Sequence, residues 1–254
     1  MLADAVRGAR CLGRGLRLIF RPGLRRYVLL PLTVNVVVFA GLIAYGATQF
    51  ADLVDWMVSP LPQWLDWLRY LLWPLFALVA LLTVFFGFTL VANLFGAPFN
   101  GMLAEAVERQ LTGQTVEDTG GWGKMLKDVL PALWGEVRKF GYFLRWVIPL
   151  GILFFIPGLN LAAPFLWIAF SAWMLSIEYA DYPMGNHGLG FRLQRERLRH
   201  RRGLALGFGG ATLLATMTPL LNFIVMPAAV AGATILWVEN LADGVRAQGV
   251  DRSQ

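Results

Sequence analysis

Two arginines, Arg25 and Arg26, follow Pro22-Gly23 in the stretch RPGLRRYVLLPLTVN (residues 21–35), and a long apolar run begins beside them. Guanidinium forks in tandem suit a tetrahedral oxyanion. Pro22 fits the start of a helix, and Gly23 lets a backbone come close to a ligand. A helix opening here is expected to offer unpaired N–H groups on Gly23, Leu24 and Arg25, backed by the positive end of its dipole. A small dianion would be held at such a place. The same arginines also suit the anchoring of a membrane helix. From these residues alone both readings stay open.

Other polar groups invite the same weighing. Asn93, Asn100, Asn160 and Asn222 stand at the ends or breaks of apolar runs, where they either cap helices or line a path. Glu105, Glu108 and Arg109 could form a gate, although an acid and an arginine at i,i+4 are also ordinary on a solvated helix. Glu178 and Glu239 each follow an apolar run. His187 lies in EYADYPMGNHG, read as a turn-rich loop. Glu178 and Asp181 are near it, but a loop histidine is a plainer reading than a metal ligand. No nucleotide loop, Ser-His-Asp order or zinc helix motif occurs. The chain is therefore expected to be no enzyme and to need no metal or cofactor.

These residues must be positioned by helices in lipid. Of 254 residues, 57% are hydrophobic and only 15% are charged, against about a quarter charged in soluble domains. The net charge of +6 could point to nucleic acid, but the arginines flank hydrophobic runs, as orientation in a membrane requires. Cys11 is the only cysteine, so no disulfide framework is possible within one chain. The first apolar run starts near Tyr27 with no small-residue cleavage motif after it, and no cleavable signal peptide is expected.

Residues 1–21 read as an amphipathic helix lying on an anionic membrane face. Leu12, Leu16 and Ile19 form one stripe, and Arg10, Arg14, Arg17 and Arg21 the other. Transmembrane helices are expected at 24–49 and 68–95. Between them a loop at 50–70 carries Asp52, Asp55 and Asp66 and a belt of Trp56, Trp64, Trp67, Tyr70 and Trp73. A basic helical segment, 96–145, follows. Two apolar regions remain, 146–177 and 204–238, each broken by proline, in IPGLN and in TPLLN. Their first arms, roughly 10 and 14 residues, would cover only about 15–21 Å. The N-terminus, the 96–145 segment, the arginines of 192–202, and Arg246 and Arg252 all read as cytoplasmic by charge. Each apolar region must then enter and leave by one face, as a re-entrant hairpin with its tip at Pro157–Asn160 or Pro219–Asn222. One kinked spanning helix per region is the alternative. The whole is read as a single all-α integral membrane domain, 1–254.

The ordered set PGLRRYVLLPLTVN, NLFGAPFNGMLAEAVERQLTG, FIPGLN, FSAWMLSIEYADYPMGNH and TPLLNFIVMPAAVAGATILWVEN resembles the bacterial CysZ sulfate permease family along nearly the whole chain. The resemblance implies sulfate uptake across the inner membrane for cysteine biosynthesis, through a channel- or carrier-like permease. It implies two long spanning helices, two partly penetrating helical hairpins and a homo-oligomer in the lipid bilayer. It also implies that the family's Gly-Leu/Ile-Arg-Arg sulfate motif falls on Gly23, Leu24, Arg25 and Arg26. That favours the anion site over the plain anchor. Sulfite and other small oxyanions would suit the same arginines. Polar groups such as Asn100, Glu105, Glu108, Arg109, Asn160 and Asn222 become pore or gate candidates. A sulfate-sensing scaffold that does not transport is the other reading, and no nucleic-acid partner is expected.

Overall fold

A computed structural model describes residues 1–59, 67–113 and 122–242. Trp64, Asp66, Arg246 and Arg252 lie outside them. Within helices, nothing is described of the side chains of Asn93, Lys124 and Lys127. Among the described residues the structure is helical and contains no strand. In chain order the helices are α1 (Leu2–Leu18), α2 (Arg25–Val58), α3 (Trp67–Thr112), α4 (Trp122–Leu153), α5 (Ala163–Asn186), α6 (Phe191–His200), α7 (Arg202–Met217) and α8 (Pro219–Leu236). A π-helical turn, Trp237–Leu241, closes the set. The chain divides into two compact units, one of residues 1–25 with Asn100 onward, the other Arg26–Phe99.

Several boundaries differ from expectation. Helix α2 runs on to Val58 through part of the segment expected as a loop, because residues 50–58 hold no proline or glycine to stop it. Helices α3 and α4 are 46 and 32 residues long. Their bounds take in much of the 96–145 segment and, for α4, the first arm of the 146–177 region. Helix α5 continues to Asn186, so most of EYADYPMGNHG is helix and the turn begins only at His187. Pro183 is accepted one turn from the end, where Ala180, Pro183 and Met184 are buried. Tertiary burial there outweighs the local preference of proline.

The smaller unit is built on α2 and the first part of α3. Phe50 stacks on Phe76 with ring centres 4.4 Å apart, and Trp73 meets both rings edge-on. At 34 residues α2 is about 51 Å long, well beyond a hydrocarbon core of about 30 Å. The apolar stretch Arg25–Trp56 is long enough to cross a membrane, and little of it is covered by protein. Val36, Val37, Leu42 and Ile43 are exposed. A contiguous apolar surface of this kind calls for lipid rather than water. Ile224–Leu241 passes the same test of length and composition but is mostly buried.

The larger unit is organised by close backbone approach. Helix α1 lies against α7 and α8. A Cβ on Gly8 would overlap Leu204 and Phe208, and one on Gly15 would overlap Ala228 and Gly232. Gly207 and Gly232 return the contact onto Ala5 and onto Cys11–Leu12. Small residues let helices meet at this range, which increases dispersion contact. Of the apolar stripe of α1, expected to face lipid, Leu12 and Ile19 are covered by protein and Leu16 is half-buried, with Cys11 and Leu18 buried beside them. Its arginines 7, 10, 14 and 17 stay exposed. Helix α5 packs on α7 through Gly209, and Ser176 Oγ donates to the Ala205 carbonyl at 2.5 Å.

Both proline-marked breaks are present. Between α4 and α5, residues 154–162 form successive turns, with Gly158 at φ 87°. Leu159 and Asn160 donate their N–H groups to the Ile156 carbonyl, and Ala162 and Ala163 donate theirs to that of Leu159. Between α7 and α8 only Thr218, in extended conformation, interrupts the helix, and Pro219 opens α8 at its first turn.

Neighbouring glycines test the packing. A Cβ at Gly209 would collide with the Ala172 carbonyl, whereas Gly210 has open space beside it. Gly209→Ala should cost about 3 kcal/mol or more through overpacking. Gly210→Ala should gain about 0.5–1 kcal/mol from helix propensity. Thermal unfolding of the two variants in detergent checks the contrast.

Candidate functional site

The residues leading into α2 form a tight turn. Arg21 donates its N–H to the Leu18 carbonyl, and Gly23 takes φ 92°, a left-handed conformation that favours glycine. The N–H groups of Leu24 and Arg25 both donate to the Arg21 carbonyl, at 3.2 and 3.3 Å. This corrects the expectation that those amides are unpaired, since the turn folds Arg21 back onto them. Any grip on an anion here thus falls mainly to the side chains. Leu24 is buried and Arg25 is exposed. Arg26, the first residue of the other unit, lies over its neighbour Tyr27 at 4.9 Å and donates Nη2–H to the Tyr27 hydroxyl at 3.0 Å. That leaves further donors on its fork. Among the described residues neither arginine has a carboxylate partner.

The candidates on the last part of α3 pack against the end of α5. Asn100 is buried and donates Nδ2–H to the Tyr182 hydroxyl at 3.3 Å. Asn186 donates to the Gly101 carbonyl at 3.0 Å. Glu108 is buried and holds His187 Nε2 at 2.9 and 3.0 Å from its two oxygens. The His187 ring lies 5.3 Å from that of Trp237. Glu105 is half-buried and Arg109 exposed. Asn160 and Asn222 are exposed, and among the described residues neither has a side-chain hydrogen bond to Asn100 or Glu108. The structure thus joins Asn100 and Glu108 to one wall and leaves the two tip asparagines outside that network.

Sequence reasoning missed a second charged cluster. Lys139 Nζ is buried 2.6 Å from Asp181 Oδ2, 2.6 Å from Glu136 Oε1 and 3.6 Å from Glu178 Oε2. Gln194 Nε2 donates to Asp181 Oδ1 and to the Leu189 carbonyl. Burial by itself pushes the ammonium pKa down, but Asp181 and Glu178 outweigh it, and the group sits above its ordinary value. Glu178 and Asp181 lie near His187 in sequence, where a metal site is the less plain reading. They converge on a lysine instead, and His187 turns to Glu108. No group of side chains suited to a metal occurs among the described residues. The i,i+3 spacing of Glu178 and Asp181 was the available signal, because it sets both on one helix face. A further pair, Arg14 and Glu239, is bidentate at 2.7 Å and ties α1 to the π-helical turn.

The family described as sulfate transporter CysZ/etoposide-induced protein 2.4 matches residues 11–227. The chain belongs to this family. A Pseudomonas aeruginosa protein named sulfate transporter CysZ is 47% identical over 243 residues, covering 96% of this chain and 98% of its own length. A protein of the same name from Pseudomonas fluorescens is 46% identical over 238 residues, covering 94% and 95%. Another from Pectobacterium atrosepticum is 46% identical over 226 residues, covering 89% and 82%. This kinship with sulfate transporters and the exposed apolar length of α2 agree on a membrane protein.

Two measurements check the buried groups. Removing the Lys139 charge strands its carboxylates. These are 31–61% exposed, so Lys139→Met should cost about 2 kcal/mol rather than the larger penalty of a fully buried pair. Thermal unfolding in detergent reads the loss. Burial pushes the Cys11 thiol pKa up to about 11, with Glu239 adding to the shift. The thiol is therefore protonated near neutral pH and unreactive. Maleimide should modify it only after denaturation, as followed by intact mass.

Proposed function

We propose that this chain is a sulfate permease, a multi-pass protein of the bacterial inner membrane that supplies sulfate for cysteine biosynthesis. The observation that carries the reading is the family match across most of the chain, together with tandem arginines at the head of an apolar helix that have no carboxylate partner among the described residues. Sulfate would meet Gly23–Arg26 first. Arg25 and Arg26 would supply charge-assisted donors, and the left-handed turn at Gly23 would set where α2 begins. Asn100, Glu105, Glu108 and Arg109 would line or gate the path, with the Glu108–His187 pair as its polar wall. Asn160 and Asn222 would stand at the hairpin tips.

The hairpins would enter the membrane part-way and return. At 154–162 the turn bonds its own backbone amides while Phe155, Leu161 and Phe165 stay exposed. A segment at membrane depth must satisfy its backbone in this way. A homo-oligomer and a channel- or carrier-like passage belong to the same reading.

Uptake of radiolabelled sulfate into proteoliposomes tests it. Wild type should accumulate sulfate, and Arg25→Ala/Arg26→Ala should lower the initial rate by about tenfold or more, since two charge-assisted partners are lost. Equal uptake by both would return the arginines to the role of anchor. No uptake by folded wild type would favour a sulfate-sensing scaffold.

A further inference from the structure

The larger unit carries a cavity of about 580 Å³ where the end of α4, the start of α5 and the α6–α7 junction meet. Its lining divides into two kinds. Arg145, Arg195, Arg199 and Arg202 contribute four positive charges, and Trp146, Leu150, Leu166 and Phe170 contribute an apolar wall. We propose that this cavity binds one anionic phospholipid, its phosphate among the arginines and an acyl chain along the apolar wall.

The arginine side is built in advance. The Arg195 guanidinium lies 5.1 Å from the ring centre of Tyr142 and 5.7 Å from that of Phe191. The Tyr142 hydroxyl in turn accepts a hydrogen bond from the Trp173 indole at 3.1 Å. Stacking of this kind holds a guanidinium in place while its N–H donors stay available. Among the described residues none of the four arginines forms an ion pair. Glu196 lines an adjoining cavity that shares Arg195, Arg199 and Arg202. One carboxylate against this many guanidiniums leaves the region strongly positive.

The apolar side points to a lipid rather than a soluble anion. Leu150 is buried, while Trp146 and Leu166 are each about half exposed. The same ends of α4 and α5 expose Ile148, Ile152 and Phe165. Sulfate or phosphate has no use for such a wall. An acyl chain beside a basic pocket between membrane helices does. A zwitterionic lipid would bring its own ammonium to the arginines, so charge complementarity selects an anionic headgroup. The lining includes none of Gly23–Arg26, and the proposal does not rest on the transport reading.

Native mass spectrometry of the full chain tests it. Delipidated protein in non-ionic detergent is offered equimolar phosphatidylglycerol and phosphatidylcholine with matched acyl chains. Bound phosphatidylglycerol should exceed phosphatidylcholine by about tenfold, the scale of several charge-assisted contacts. Arg195→Gln/Arg199→Gln/Arg202→Gln should abolish the preference. Arg7→Gln/Arg10→Gln, on the exposed face of α1, should keep it. Excess inorganic sulfate should not displace the lipid. The proposal is overturned if wild type shows no preference, if the triple variant retains it, or if the α1 variant loses it equally. Displacement by sulfate would overturn it too, making the cavity a site for soluble oxyanions. If the triple variant fails to fold, Arg195→Gln alone takes its place, and a preference it retains in full overturns the proposal.

Discussion

The larger unit depends on how closely α1 approaches α7 and α8. At Gly8, Gly15, Gly207 and Gly232 the helices touch through backbone atoms, with no room for a Cβ. In lipid the hydrophobic effect does little to bring helices together, so contact area must do so. Glycine maximises that area, at some cost in helix propensity. The contact spends the apolar face of α1 on protein and turns its arginines outward. It also brings Arg14 to Glu239 on the π-helical turn. That exposed pair contributes little stability, but it registers the first helix against the last turn.

Around this frame the buried polar groups find partners. Asn100 meets Tyr182, Glu108 meets His187, and Lys139 meets three carboxylates. A buried polar group or charge without a partner is costly, so these contacts constrain how the last part of α3, α4 and α5 are set. Some of the surface arginines show the opposite arrangement. Arg25, Arg26 and the group at the α6–α7 junction lack carboxylate partners among the described residues. One region thus satisfies its own charge while the others keep theirs for something else.

Part of this is legible in the sequence. The stripes of α1, the breaks near Pro157 and Pro219 and the arginine pair after Gly23 are local signals, carried by residues within a turn or two of one another. Other features were misread for want of distant information. Pro183 looked like a loop residue, but burial around Ala180 and Met184 keeps it in α5. The amides of Leu24 and Arg25 looked free, but the carbonyl of Arg21 turns back to take them. The lysine that Glu178 and Asp181 hold was not anticipated, because Lys139 stands 42 positions before Asp181 in the chain.

The sequence by itself determined that this is a helical membrane protein with tandem arginines at the head of its first long apolar helix, and it carried enough of the family's pattern to point to sulfate. Hydrophobic length, helix breakers and contiguous motifs are written along the chain, so neighbours are enough to read them. Only the tertiary structure decided what covers α1, which partner each buried charge finds and where four arginines meet an apolar wall. Those outcomes depend on how helices far apart in sequence cross, and the crossings are set by which glycines let backbones touch.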